Sequence, residues 1–294
     1  NAPMYILNEI ENQINNALRY KQLREAGIDI ARLESIKPSV SIEYKELTED
    51  GEKDTNASAA YAISFAAAIL FYICLFIYGA QVMRGIIEEK TSRIVEVIIS
   101  SVKPFQLMLG KIIGIGLVGL TQFLLWIILS SLATKFTDSE LLPNNILSAI
   151  QTIPVGYVLV TFLIYFLGGY LLYSALFAAV GSAVDNETET QQFMFPITLP
   201  LLFTYIMAFS FIVNNPNSTL SIWLSMIPFT SPIAMMVRIP FGVPDWQLYL
   251  SIVLLIAGFI FTTWVASRIY RVGILMYGKK TSYRELVKWF MYKE

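Results

Sequence analysis

Histidine is absent from this chain of 294 residues, and cysteine occurs once, as Cys74. Without histidine there is no histidine-based metal site and no histidine general base, two features on which many enzymes depend. A single cysteine excludes a disulfide between residues of this sequence and any CxxC zinc site. Cys74 lies inside an apolar run, where a small packed or lipid-facing hydrophobic residue is the ordinary interpretation. These absences point away from metalloenzymes and from disulfide-stabilised folds.

Charged residues are also scarce. They make up 15% of the sequence, whereas hydrophobic residues make up 55%, and about 25% charged is usual in soluble domains. The net charge is -1, so no basic field points to nucleic acid. The phosphate loop of an ATPase is missing, because Gly110-Lys111 is followed by Ile112 and lacks the upstream glycine spacing. The composition favours a membrane protein that is not an enzyme and has no ATPase motif of its own.

Five apolar runs are long enough to cross a bilayer as helices, which takes about 20 residues each. Their central parts contain no Asp, Glu, Lys or Arg, each of which would cost about 2.5–3.5 kcal/mol at the membrane centre. We therefore predict an all-α polytopic membrane protein with a small α/β extracytoplasmic segment. Because the sequence opens at Asn1 with neither Met nor a signal peptide, we expect a sixth span upstream of it. The five predicted spans cover 57–83, 105–132, 153–184, 193–213 and 248–269.

Positive charges predict the orientation, since basic loops face the cytoplasm. They are concentrated in 84–111 and after the last span, which places both stretches and the C-terminus inside a bacterial-type cytoplasmic membrane. The connections 133–152 and 214–247 carry one positive charge each and are predicted to lie outside. The turn 185–192 must then be cytoplasmic although it is acidic, which is acceptable because acidic residues contribute little to the rule.

Three further segments are predicted from their patterns. Residues 1–56 combine an amphipathic helical repeat with strand-like alternation over 40–45, as in the C-terminal part of an extracytoplasmic domain. Residues 214–247 are too apolar for a free loop and are predicted to form a re-entrant or interfacial hairpin outside the cytoplasm. Residues 274–294, where Ser282 and Glu285 have capping-box spacing, are predicted to form a cytoplasmic amphipathic tail.

The stretch between the first two spans is predicted to be an amphipathic helix over 86–101. Ile87, Ile94, Val95 and Ile98 share one face, and charges of both signs occupy the other. One interpretation is an interfacial helix that caps two spans. The other is a docking helix for a soluble protein, because mixed charges suit a protein contact better than a lipid contact.

From Glu88, the residues EEKTSRIVEVIISSVKPFQLMLGKIIG resemble the first cytoplasmic loop of membrane subunits in the type-two ABC exporter family, particularly the sodium-efflux (NatB-like) permeases. The resemblance continues in the same order through Gly181–Leu201, Ile227–Gln247 and Arg268–Leu286. It implies that 86–101 is the coupling helix gripped by a separate ATPase subunit, with an acidic turn as a possible second contact. The implied coupling residues are Glu88, Glu89, Lys90, Thr91, Arg93 and Glu96, and the second contact would use Asp185, Glu187 and Glu189.

The resemblance implies a permease subunit of an ATP-driven exporter. Its partners would be two copies of an ABC ATPase, which would hold ATP and Mg²⁺, a second permease chain in a homodimer or heterodimer, and membrane lipid. This chain would hold no cofactor, and the exported solute would be Na⁺ or a small drug-, peptide- or lipid-like compound. Two alternatives stay open. One is a membrane scaffold or sensor that transmits ATPase motion to an external domain; the other is an ion-coupled secondary transporter, which the lack of ionisable groups within the spans disfavours.

Overall fold

A computed structural model describes residues 45–48, 51–54, 57–136, 155–276 and 282–291. The chain divides into two units, residues 1–53 and 54–294. The described part of the first unit is a two-stranded sheet of β1 (Lys45–Thr48) and β2 (Gly51–Asp54), the last residue of which belongs to the second unit. The strand predicted over 40–45 lies outside the described residues except for Lys45, as does the predicted helical repeat before it. β2 is a strand that the sequence pattern does not predict.

Nine α-helices make up most of the described part of the second unit. A π-helical turn, Ala208–Ile212, follows the fifth helix, and a 3-10 turn, Ile239–Phe241, follows the seventh. In chain order the helices are α1 (Ala57–Thr91), α2 (Ile94–Ile99), α3 (Pro104–Phe136), α4 (Val155–Ala183), α5 (Glu187–Met207), α6 (Thr219–Met226), α7 (Ser231–Arg238), α8 (Asp245–Gly273) and α9 (Tyr283–Met291).

Five of the helices are long and apolar enough to cross a membrane, which confirms the predicted all-α polytopic fold. A helix suits this environment because it satisfies its backbone polar groups internally. The most visible difference from the predicted spans is that α1 continues as one helix from Met83 to Thr91. The five spanning segments are Ala60–Thr91, Pro104–Leu129, Gly156–Ala183, Glu189–Ile212 and Asp245–Gly273.

α4 is the central helix. In its most apolar window 67% of the residues are buried, against 33% or less in the other four spanning helices. Its buried tyrosines tie it to its neighbours, since Tyr170 donates to the Ile112 carbonyl on α3 at 2.7 Å and Tyr173 donates to the Phe229 carbonyl at 2.6 Å. Such hydrogen bonds between helices add to the packing contacts that hold a membrane bundle together.

Glycines bring three backbones together where α1, α4 and α8 end. A Cβ added at Gly181 of α4 would lie 2.8 Å from the Met83 carbonyl oxygen of α1. One added at Gly273 of α8 would lie 2.9 Å from the Ser182 carbonyl oxygen of α4. Small residues allow this approach because nothing but backbone separates the helices. We call this region of the second unit the charged end, since the ion pairs described below lie there.

The segment 214–247, predicted to form a hairpin, folds into α6, α7 and the 3-10 turn. Every residue of α7 is buried. The hairpin packs on the first turns of α1, where Ser64 Oγ donates to the Val237 carbonyl at 2.7 Å and the ring of Tyr61 meets Phe241 edge to face. We call this opposite region the hairpin end.

Candidate docking site at the charged end

The predicted helix over 86–101 is not one helix. Its first part is the last turns of α1, and only Ile94–Ile99 forms the separate helix α2. Between them Arg93 has φ 56°, the one positive φ of a non-glycine residue in the described chain. A left-handed residue terminates an α-helix, and Gly or Asn usually occupies such a position because a Cβ there costs about 1–2 kcal/mol.

Side-chain hydroxyls support this break. Thr91 Oγ1 donates to the Ile87 carbonyl at 2.8 Å, and Ser92 Oγ donates to the Glu88 carbonyl at 2.7 Å. The Glu88 carbonyl also accepts from the Ser92 backbone N–H at 3.0 Å, so the hydroxyls are additional donors, and such side-chain bonds compete with regular continuation of a helix. The sequence TSR therefore ends α1 locally, which the apolar periodicity does not reveal.

The break changes which side chains of α2 face outward. Val95 is fully buried, whereas Ile94 is 52% exposed and Val97 is 73% exposed. The predicted apolar face placed Ile94 with Ile87, and that assignment is wrong because the left-handed residue resets the helical phase between them. Arg93 and Glu96 are exposed beside the two aliphatic side chains. We call Arg93, Ile94, Glu96 and Val97 the α2 patch.

Lys90 lies inside the protein although the sequence places it among exposed contact residues. It is 1% exposed, and its Nζ lies 2.8 Å from Asp185 Oδ1 and donates to the Ser182 carbonyl at 2.8 Å. Asp185 keeps 27% of its side chain exposed. Two residues predicted to touch a partner are thus paired with each other, and the pair joins the end of α1 to the turn between α4 and α5.

A second ion pair fixes α1 to α3. Glu89 Oε1 lies 2.7 Å from Lys111 Nζ, and the two side chains are 26% and 15% exposed. Partial burial makes such a pair worth more than an open surface pair, which contributes about 0–1 kcal/mol. The α2 patch is therefore carried by a helix end that is bound to both α3 and the α4–α5 turn.

The remaining predicted site residues are distributed around this end. Glu88 and Thr91 are exposed, and Glu189 is half-buried. The side chain of Glu187 lies outside those that the structure describes. Their contact with an ATPase stays a prediction. The sequence pattern does not predict that Ile94 and Val97 are exposed, and the helix-breaking TSR sequence is the signal that could indicate it.

The hairpin end also has a buried charge, the guanidinium of Arg238. Arg238 is 1% exposed, and Nε, Nη1 and Nη2 donate to Pro216 O at 2.6 Å, Ser225 Oγ at 2.6 Å and Gln247 Oε1 at 2.7 Å. Burial lowers the pKa of this guanidinium, yet an arginine remains charged at neutral pH. All three acceptors are neutral, and they join α6, α7 and the start of α8.

Comparison with known proteins identifies the family of this arrangement. The sequence profile of ABC-2 family transporter proteins matches residues 1–268. The chain belongs to the ABC-2 family. With its five apolar helices it is therefore a multi-pass membrane protein.

Two curated relatives are uncharacterised proteins. YhaP of Bacillus subtilis (strain 168) is 28% identical over 264 residues, which cover 89% of this ABC-2 chain and 63% of YhaP. MJ1024 of Methanocaldococcus jannaschii is 27% identical over 283 residues, which cover 96% of this chain and 66% of MJ1024. The chain spans less than two thirds of the length of each relative. No solved structure matches the chain.

Proposed function

We propose that this chain is the permease subunit of an ATP-driven ABC exporter and that a separate ATPase subunit docks on the α2 patch. The observation that carries the proposal is the exposure of Ile94 and Val97 next to Arg93 and Glu96, on a helix anchored by the buried Val95. Aliphatic side chains flanked by charges of both signs give a small apolar contact with a polar rim, the usual anatomy of a protein interface.

The two ion pairs would transmit movement of the α2 patch to other helices. Movement of the α2 patch would pull the end of α1, and through Lys90–Asp185 and Glu89–Lys111 it would also move the α4–α5 turn and α3. ATP binding that closes an ATPase dimer would in this way switch the helices between two arrangements. The partner ATPase would hold ATP and Mg²⁺, and in this chain α2 and the end of α1 would transmit the movement.

The proposed assembly is twofold. Two permease chains, in a homodimer or a heterodimer, would pair with two ATPase copies, since closed twofold symmetry is the commonest arrangement of such oligomers. The exported solute would be Na⁺ or a small drug-, peptide- or lipid-like compound, the range that the resemblance to sodium-efflux permeases and their relatives offers.

Affinity purification of the full-length protein in mild detergent tests the docking surface. We expect the wild-type chain to retrieve an ATPase subunit that carries a phosphate loop, identified by mass spectrometry. The variants Glu96→Lys and Val97→Asp should each reduce that recovery at least about tenfold, because a single well-buried interface residue is worth about 2 kcal/mol or more.

The matched control is Arg284→Glu, a charge reversal at another exposed position, on α9 at the same end of the protein. It should leave recovery unchanged, and all variants should unfold at the wild-type temperature. Normal retrieval of the ATPase by both α2 variants would exclude the patch as the docking surface. ATP-dependent movement of a solute by the purified complex then separates an exporter from a scaffold.

A further inference from the structure

A groove lies between α1 and α5, apart from the α2 patch. Its volume is about 440 Å³, and Phe76, Met83, Arg84, Gln191, Met194 and Phe195 are among its lining residues. This volume is within the range of about 300–1,000 Å³ that small-molecule sites have. On α1 the lining runs from Phe76 to Arg84, which is about 12 Å along a helix.

The two ends of the groove differ in chemistry. Arg84, Thr190 and Gln191 line the end nearer the charged end of the protein, and Phe76, Phe195 and Thr198 line the deeper end. Thr198 adds little polarity, because its hydroxyl donates to the Met194 carbonyl of its own helix at 3.1 Å. The groove therefore changes from a cationic mouth to an apolar interior along the direction of the helices.

Among the lining residues that the structure describes, Arg84 is the one with a charge. Its guanidinium is exposed, and within the described part of the chain it forms no hydrogen bond or ion pair. Glu88, one turn further along α1, does not line the groove. No anionic side chain that the structure describes receives its five N–H donors, and guanidinium geometry matches phosphate and carboxylate groups.

The groove also opens sideways onto apolar surface. Ile77 of α1 is 46% exposed and Leu199 of α5 is 47% exposed, and both belong to helices long enough to span a membrane. Apolar surface of this kind within a span is suited to contact with lipid. A molecule already dissolved in the bilayer could enter the groove without crossing water.

We propose that the groove binds one anionic membrane phospholipid, with its phosphate on Arg84 and the first part of an acyl chain between the two helices. The anionic phosphate complements the cationic mouth, and the acyl chain matches the apolar interior. A bilayer lipid has its headgroup at the membrane surface and its tail deeper, and the groove likewise has Arg84 nearer the charged end and its apolar lining deeper. This site goes beyond the proposed function, because lipid binding requires neither the α2 patch nor an ATPase.

Native mass spectrometry of the purified full-length protein tests the site directly. Dioleoyl-phosphatidylglycerol and dioleoyl-phosphatidylcholine are titrated separately into protein in a neutral detergent. We expect the wild-type chain to bind phosphatidylglycerol at least about fivefold more tightly, since a cationic side chain near a lipid headgroup contributes about 1 kcal/mol. Arg84→Gln should abolish this preference, and Arg84→Lys should keep part of it because the charge remains.

Arg284→Gln is the matched control, since it removes an exposed arginine from α9 and should keep the full preference. Gln191→Trp, at the exposed rim, should weaken binding of both lipids by narrowing the groove. Equal affinities of the wild-type chain for the two lipids, or an unchanged preference in Arg84→Gln, would overturn the proposal.

A second copy of the chain is the other occupant that the groove could accept. Gln191→Cys in a Cys74→Ala background would then form a disulfide-linked dimer when native membranes are treated with an added thiol oxidant, and that result would also overturn lipid binding. Recovery of the ATPase by Arg84→Gln stays at the wild-type level in either case, so failure of this site and failure of the proposed docking are distinguishable.

Discussion

Single residues show how far a charge pattern can mislead. Glu88 and Lys90 are two positions apart in the same run of charges, yet Glu88 is exposed and Lys90 is 1% exposed. The sequence pattern does not distinguish them, because both occur outside the apolar runs. What separates them is the direction of each side chain around α1, and only the position of α4 decides which direction is inward.

Breaking the Lys90–Asp185 pair should destabilise the protein. Lys90→Met removes the cation from a buried position and leaves the Asp185 carboxylate without its ion-pair partner. We expect a loss of about 3 kcal/mol, the lower end of the range for a broken buried pair, because Asp185 is 27% exposed and regains some hydration. Unfolding of the purified protein in mixed micelles measures the change.

Two variants complete that test. Lys103→Met, at an exposed lysine of the same end, should change stability by less than about 0.5 kcal/mol. The double variant Lys90→Met with Asp185→Asn should lose clearly less than the sum of the two single losses, because both partners of one interaction are gone. Strictly additive losses would mean that the pair contributes nothing to stability.

Arg238, at the hairpin end, is a second charged residue whose burial the sequence pattern does not indicate. In the sequence it is the lone positive charge of a long connection, and it is the scarcity of such charges that predicts an external location for that connection. In the structure it is buried and holds three segments together through neutral oxygens. Charge counting assigns a residue to a side of the membrane and says nothing about its depth in the protein.

At the scale of elements, α2 is the largest difference from expectation. Apolar periodicity continues smoothly from α1 through Ile98, so a single helix over 86–101 was the natural prediction. Hydroxyl donors at Thr91 and Ser92 and the left-handed Arg93 interrupt it. Thr91, Ser92 and Arg93 are polar positions between Ile87 and Ile94, so a pattern of hydrophobic residues alone does not report the interruption.

Helix packing gives a matched test with two glycines. Gly181→Ala puts a Cβ 2.8 Å from the Met83 carbonyl oxygen, whereas the same change at Gly114 of α3 meets nothing within 4 Å. We expect Gly181→Ala to cost about 1–3 kcal/mol, because two backbones must separate. Gly114→Ala should be neutral or stabilising by up to about 1 kcal/mol, the difference in helix propensity.

Thermal unfolding in one detergent compares the two variants. The substitution is identical, so its effect on the unfolded chain is the same in both and cancels. A drop in midpoint for Gly114→Ala alone would contradict the packing of α1 on α4. Gly110 and Gly114 have the spacing typical of close helix packing, yet both face open space in this chain.

At the scale of the whole molecule, the two ends of the helical unit are chemically distinct. The charged end has the ion pairs and the α2 patch, and the hairpin end has the buried arginine cluster. The positive-inside rule predicts that the charged end faces the cytoplasm. The proposed docking of a soluble ATPase requires the same orientation. A measurement of the orientation therefore tests both the predicted topology and the proposed docking.

Cysteine labelling tests the orientation. In a Cys74→Ala background, Asn217→Cys places a thiol at the hairpin end and Ser100→Cys places one at the charged end, both at exposed positions. A membrane-impermeant maleimide should label Asn217→Cys in intact cells, and Ser100→Cys only after permeabilisation. The reverse pattern would place the α2 patch outside the cell, away from any ATP.

The sequence by itself determined that five helices cross a membrane and where they lie, because burying apolar residues and internal backbone hydrogen bonds are requirements that lipid imposes on each segment separately. Tertiary structure alone decided which charges are paired, which helix is central and where α2 exposes its aliphatic side chains. Those outcomes depend on which helices become neighbours. Lys90 and Asp185 are separated in the sequence by α2, α3 and α4, and no local sequence pattern indicates that their side chains meet.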